Sequence, residues 1–223
     1  MLKAVLFDMD GVIVDTEPLH SQAYHRMFDD INIHVDAMMY ASFTGQSTYD
    51  ICKKLCSHYD LAVGPQTLVD IKRDHFKHLF DTDTSLRLLP GVLDLIKDYF
   101  NNNLKLVVAS SASMPNINRI FERFNLNHYF LGKVSGADLK ESKPHPEIFE
   151  KGAEVAGCEP HQCMVIEDST NGIEAAKAAG IYCVGYNSPN SLDQDYTDAD
   201  LVVSDFSEIG YKNIIQMFAQ SVV

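Results

Sequence analysis

The chain has 223 residues, 46% of them hydrophobic, enough for one sizeable α/β domain with a smaller insertion or for two domains. Its formal charge of −13 makes nucleic acid and anionic membrane surfaces poor partners, and an anionic substrate would need a metal or local cations to be held. Five cysteines, odd in number and irregularly spaced, argue against a disulfide framework and suit a reducing cytoplasm.

Ala4 to Phe7 is an apolar run short enough for a strand buried on both faces, as in the middle of a parallel sheet. Asp8, Met9, Asp10 and Gly11 follow it, and Gly11 permits a tight turn. The two aspartates interrupt the only N-terminal apolar run, so no signal peptide is expected, and no apolar stretch approaches transmembrane length. From Pro18 the apolar residues Leu19, Ala23, Tyr24, Met27 and Phe28 recur near helical spacing. Further helical segments are expected over Ala37–Ala41, Tyr49–Tyr59 and Gln66–Phe80, separated by Gly45-Gln46-Ser47 and Gly64-Pro65. Residues 16–84 thus read as an all-helical unit inserted after the first strand, between core segments 1–15 and 85–223. Within it, Cys52 and Cys56 lie four apart and His75 and His78 three apart, but neither pair has the further ligands of a zinc site.

After Pro90-Gly91 strands and helices alternate. Val92–Phe100 reads as a helix, Leu104–Ala109 as a strand, Pro115–Phe124 as a helix and Tyr129–Leu131 as a short strand. Two prolines stiffen the loop Ser142-Lys143-Pro144-His145-Pro146. Glu147–Ala156 reads as a helix and Cys163–Ile166 as a strand; Asn171 with Glu174 resembles a capping box opening the next helix, which stops at Gly180. Ile181–Gly185 and Leu201–Val203 read as strands. The alternation implies right-handed crossovers and a doubly wound, mainly parallel sheet covered on both faces.

In such sheets ligands bind beyond the carboxyl ends of the strands. Asp8 and Asp10 follow the first strand, Ser110 follows the second, Lys143 lies in the stiff loop, and Glu167-Asp168 follow the Cys163 strand. Alone, each has an ordinary explanation: Ser110 as a helix cap, Lys143 as a solvated lysine, the acidic pairs as turn or capping residues. Together they offer a carboxylate nucleophile, oxygen ligands for a hard cation and donors for phosphoryl oxygens, which is the inventory of phosphoryl transfer. The spacing around Gly11 excludes an EF-hand, and no glycine-rich nucleotide loop is present.

The succession Phe7-Asp8-Met9-Asp10-Gly11, Val107-Val108-Ala109-Ser110-Ser111, Ser142-Lys143-Pro144-His145-Pro146 and Val165-Ile166-Glu167-Asp168-Ser169 resembles the haloacid dehalogenase-like superfamily over nearly the whole chain. The helical insertion and the stretch Asp15-Thr16-Glu17-Pro18-Leu19-His20 resemble its β-phosphoglucomutase and sugar-phosphate phosphatase branch. The resemblance implies that Asp8 attacks phosphorus and that Asp10 serves as general acid and then general base. It implies Mg2+ held by Asp8, the Asp10 main-chain carbonyl and Asp168, with Glu167 as a further ligand or a supporting acid. Ser110 would donate to a phosphoryl oxygen and Lys143 would offset its charge. Glu17, His20, Gly45, Gln46 and Ser47 of the cap, with Ser111 and Ala112, would face the leaving group, and Lys72 or Arg73 would reach over it.

The implied function is that of a cytoplasmic Mg2+-dependent phosphatase of a small phosphate monoester, a sugar phosphate first, working as a monomer or weak dimer without nucleic acid or membrane. β-Phosphoglucomutase is the nearest alternative. The mutase pattern has an arginine after the Gly-x-Ser cap turn and a Lys-Asn pair after the second motif; here Thr48 and Tyr49, and Ser113 and Met114, stand at those places. Phosphonate or pyrophosphate hydrolysis, and a non-catalytic receiver storing a phosphoryl group, complete the alternatives.

Overall fold

A computed structural model describes residues 1–43, 46–188 and 193–221. Six parallel strands form one sheet: β1 (Ala4–Phe7), β2 (Lys105–Ser110), β3 (Gly132–Ser135), β4 (Cys163–Glu167), β5 (Tyr182–Tyr186) and β6 (Leu201–Val203), in the order β3-β2-β1-β4-β5-β6. The chain winds outward from β1 in one direction and then from β4 in the other. This puts the topological switch point beside β1.

The two-residue alternation along each strand divides the core. Val5, Phe7, Leu106, Val108, Met164 and Ile166 face one layer. There they meet α5 (Val92–Asn101), α6 (Met114–Arg123) and α9 (Tyr211–Ser221). Leu6, Val107, Ala109 and Val165 face the other layer, formed by α7 (Glu147–Ala156) and α8 (Thr170–Ala178). The register sets Phe7 level with Val108 and Ile166, so Asp8, Ala109 and Glu167 emerge side by side.

Between β1 and β2 lie α1 (Glu17–Asp30), α2 (Ala37–Ala41), α3 (Thr48–Tyr59) and α4 (Pro65–Thr82). Tyr24, Met27, Phe28, Phe43, Ile51, Leu55 and Leu68 form a small core of their own. Phe76, Leu79 and Phe80 at the end of α4, with Leu19 and Ala23 of α1, are instead continuous with the sheet's core. The connections into and out of this unit run side by side: the Leu89 N–H donates to the Ile13 carbonyl at 3.0 Å, and Val14 bridges Leu88.

Two local expectations are corrected. Tyr129–Leu131 is not a strand; β3 begins at Gly132. This edge strand is short and half polar, so it carries little hydrophobic alternation. Helix α8 is capped by Ser169, two residues before the expected Asn171 cap: the Ser169 hydroxyl accepts from the Gly172 N–H at 3.1 Å. Of the i, i+3 pair His75 and His78, His75 meets Asp30 of α1 at 2.7 Å. All five cysteines are free thiols. Among the described residues no helix is long and apolar enough to cross a membrane.

Candidate active site

A cavity of about 430 Å3 lies between the carboxyl ends of β1, β2 and β4 and the helical insertion. From the sheet side it is lined by Asp8, Asp10, Ser110, Lys143, Glu167 and Asp168. Ser111 and Ala112 continue the lining past β2.

Residues 9–14 turn back sharply after β1. The Ile13 and Val14 N–H groups donate to the Met9 carbonyl, and the Gly11 N–H donates to the Val14 carbonyl at 2.9 Å. Gly11 has φ +82°, and a Cβ there would stand 1.9 Å from an Asp168 carboxylate oxygen, so only glycine lets the β1 turn and the β4 end come together. The turn also carries Thr16 back onto Asp10, whose carboxylate accepts the Thr16 hydroxyl.

Lys143 is buried, and its ammonium donates to Asp8, to Glu167 at 2.6 Å and to the Ala109 carbonyl at 3.4 Å. Burial alone would discharge this lysine, but Asp8 and Glu167 outweigh it and hold it above its ordinary range. Burial pushes Asp8 up to about 7, against the pull of Lys143 and with the push of Glu167 and Asp10. The second oxygen of Glu167 accepts from the Asp168 N–H, the Ser169 N–H and the Ser169 hydroxyl, at 2.8 to 2.9 Å. Its first oxygen would lie 1.8 Å from a Cβ at position 172, so Gly172 leaves room for it. Both Glu167 oxygens are thus engaged with protein donors, an arrangement that favours the supporting acid over the further ligand of the two roles left open. The Ser110 hydroxyl oxygen accepts from the Ala112 N–H at 3.1 Å, which leaves its proton to donate elsewhere.

On the other wall, Lys72 is buried, with Nζ 2.5 Å from His20 Nδ1 and 4.6 Å from the centroid of the Tyr24 ring. Burial and the Lys72 charge hold His20 well below its ordinary range, so the ring is neutral. An ammonium has no lone pair, so Nδ1 accepts and the ring proton sits on Nε2, 3.9 Å from the Asp10 carboxylate. The ring stacks on Phe76 at 4.3 Å. Burial pushes Lys72 down to about 8, although Asp10 and Glu17 pull it back up. Burial likewise raises Asp10 and Glu17, and Glu17 accepts from the Tyr40 hydroxyl at 3.1 Å.

Among the described lining residues seven carboxylates accompany two ammonium groups, an excess of negative charge that suits a dication. Among the described residues no group of three His, Cys, Asp or Glu side chains is arranged to hold a metal. The expected set needs only two carboxylates, Asp8 and Asp168, because its third ligand is the Asp10 main-chain carbonyl. An all-oxygen donor set at this turn fits Mg2+.

The model of the haloacid dehalogenase-like hydrolase family matches residues 5–186. The chain belongs to this family. It is 32% identical to a β-phosphoglucomutase of Bacillus subtilis over 93% of this chain and 92% of that one. It is 28% identical to a fructose-1-phosphate phosphatase of Escherichia coli K12 over 81% of this chain and 94% of that one. Its fold is that of a crystal structure of β-phosphoglucomutase from Clostridium difficile, with a TM-score of 0.87 and 26% identity over 100% and 99% of the two chains. It stands in the β-phosphoglucomutase-like branch of the haloacid dehalogenase-like hydrolases, with the helical insertion as its cap.

Of the cap residues expected at the site, Glu17, His20, Gln46 and Lys72 line the cavity. Arg73 does not. Ser47 does not either: it caps α3, and its hydroxyl turns to Asp50 at 2.6 Å. Gly45 lies outside the described residues. Sequence reasoning missed Thr16 and Tyr40. Thr16 was detectable only through the turn that reverses the chain, and Tyr40 sits on a short helix with no apolar period.

Proposed function

We propose that this hydrolase is a Mg2+-dependent phosphatase of a small phosphorylated sugar, with Asp8 as nucleophile and Asp10 as general acid and base. Asp8, Asp168 and the Asp10 carbonyl would hold the metal, which neutralises phosphoryl charge when bound. Lys143, fixed by Glu167, neutralises Asp8 and the arriving phosphoryl oxygens and draws Asp8 into line for attack. Ser110 donates to a phosphoryl oxygen. Asp10 stands one residue pair beyond, where its raised pKa lets it hold the proton that the leaving oxygen takes. The Thr16 hydroxyl fixes its orientation, with the neutral His20 ring 3.9 Å away. Once the sugar has left, the carboxylate accepts a proton from the water that attacks the aspartyl phosphate. We take residues 16–84 as the cap that closes over these groups, with the two paired linkers as its hinge.

The observation that carries the reading is the charge distribution across the cleft. All cationic side chains among the described lining residues are Lys143, committed to Asp8 and Glu167, and Lys72, committed to His20. A mutase must grip a second phosphate while its intermediate turns over, and a bidentate arginine does this best. No arginine is among the described residues lining the cavity. Water is therefore the better acceptor. The mutase reading keeps support from the Bacillus subtilis relative, and one assay separates the two. Purified protein with Mg2+ is given a panel of sugar phosphates, including β-glucose 1-phosphate with its bisphosphate. Inorganic phosphate should accumulate, and a chelator should stop it reversibly. Glucose 6-phosphate forming faster than phosphate would replace the phosphatase by the mutase.

A further inference from the structure

Besides the Thr16–Asp10 hydrogen bond, side chains of Arg123 and Ser142 tie the cap to the core. At the hinge, the Arg123 guanidinium of α6 donates to the Phe80 and Asp83 carbonyls at 3.1 and 2.7 Å and lies 5.0 Å from the Phe80 ring. From the loop before Lys143, the Ser142 hydroxyl donates to the Asp50 carboxylate of α3. The first contact holds the end of α4 next to the outgoing linker. The second joins α3 to the loop that carries Lys143.

Asp50 is a fixed post. Its N–H donates to the Ser47 hydroxyl at 3.2 Å, and its carboxylate accepts from that same hydroxyl. A carboxylate in the first turn of a helix is also favoured by the N-terminal dipole. Ser142 immediately precedes Lys143. The His145 N–H donates to the Ser142 carbonyl at 2.9 Å, closing a tight turn around Lys143 and Pro144, and two prolines restrict the backbone that follows. A pull on Ser142 therefore moves Lys143, with little slack between them.

We propose that Asp50 is a positioning residue for Lys143, joining cap closure to the placement of the lysine that serves Asp8. With the cap shut, Asp50 holds Ser142 and the turn sets the ammonium between Asp8 and Glu167. With the cap open, the Ser142 hydroxyl returns to water and the turn loses its outer anchor. Phosphoryl transfer is then coupled to a closed, water-poor cleft. This inference rests on the phosphatase reading for its kinetic arm but not for its structural one.

The test uses Ser142→Ala, Ser142→Thr, Asp50→Ala and the Ser142→Ala/Asp50→Ala double variant of the full chain. A hydrogen bond to a charged group predicts a fall of about tenfold in kcat with KM little changed for Ser142→Ala. Asp50→Ala should lose about as much, the double variant no more than either single one, and Ser142→Thr should regain activity by keeping the hydroxyl. A purely structural role would lower the unfolding midpoint and leave kcat alone. Small-angle scattering with Mg2+ and inorganic phosphate should show the alanine variants more extended than the wild type. Should Asp50→Ala fail to fold because α3 loses its cap, the Ser142 pair decides. Additive losses, or scattering indistinguishable from wild type, would overturn the proposal. If the wild type turned over no phosphate ester, the phosphatase reading would fall, while scattering would still decide whether the contact holds the cap shut.

Discussion

Lys143 on the core wall and Lys72 on the cap wall are both buried ammonium groups facing one cleft, and their surroundings have opposite effects. Lys143 meets two carboxylates, which offset its desolvation and hold it charged. Lys72 meets a neutral imidazole and two aromatic rings, and burial pushes it down to about 8. The sheet side is thus a preorganised charge network around Asp8, the proposed nucleophile. The cap side is a charge held at a cost, adjustable by what enters the cleft. On the proposed function, chemistry would belong to the first wall and recognition to the second.

The largest expected effect tests the core wall. Asp8→Asn keeps the size and removes the nucleophile, so turnover should drop by on the order of 10³ or more. A clean variant that keeps substantial activity in a steady-state assay would dissolve the distinction between the walls. Next come the two lysines, whose replacement by methionine should act on stability in opposite directions. Lys143→Met strands Asp8 and Glu167 without a counter-charge, at a cost of about 3–5 kcal/mol in urea unfolding. Lys72→Met relieves the burial of a charge paired with a neutral ring, so stability should be unchanged or raised. Its penalty should fall on kcat/KM, about tenfold, through the lost orientation of His20. Equal destabilisation by both substitutions would end the comparison.

The smallest effect is a pH limb. If the Lys72 charge serves substrate binding, kcat/KM should decline above about pH 8 as the group loses its proton. Lys72→Arg should remove that limb, because a guanidinium does not titrate there. For stability the direction is the reverse. Between about 8 and the ordinary 10.5 the unfolded chain holds a proton on Lys72 that the folded chain has released, so this residue's contribution rises with pH across that window. A pH–rate profile of the two proteins, with unfolding measured alongside, checks both signs.

Much of the core wall was legible in the chain. The run Ala4–Phe7 forms the strand expected because all four residues are buried, and an apolar run followed by charge marks a strand end. Asp8, Ser110, Lys143 and Asp168 line one cavity because parallel strands bring all their carboxyl ends to one edge. The cap wall was less legible. Ser47 looked like a substrate contact but serves as a helix cap, since a serine before a helix satisfies an orphan amide more readily than it reaches across a cleft. Glu167 read equally as a metal ligand or a supporting acid, and only the fold brings Lys143, 24 residues upstream, onto its first oxygen.

Sequence by itself determined the order of strands and helices and the set of groups that gather at the sheet edge. These follow from hydrophobic periodicity and from motifs a few residues long, which are local properties of the chain. The tertiary structure alone decided which groups pair: Lys143 with Asp8 and Glu167, Lys72 with His20, Thr16 with Asp10, and Asp50 with Ser142. Most of those pairs join residues far apart in the chain, and each lysine takes its character from its partner and burial. The same side chain is therefore held charged on one wall and pushed toward neutrality on the other.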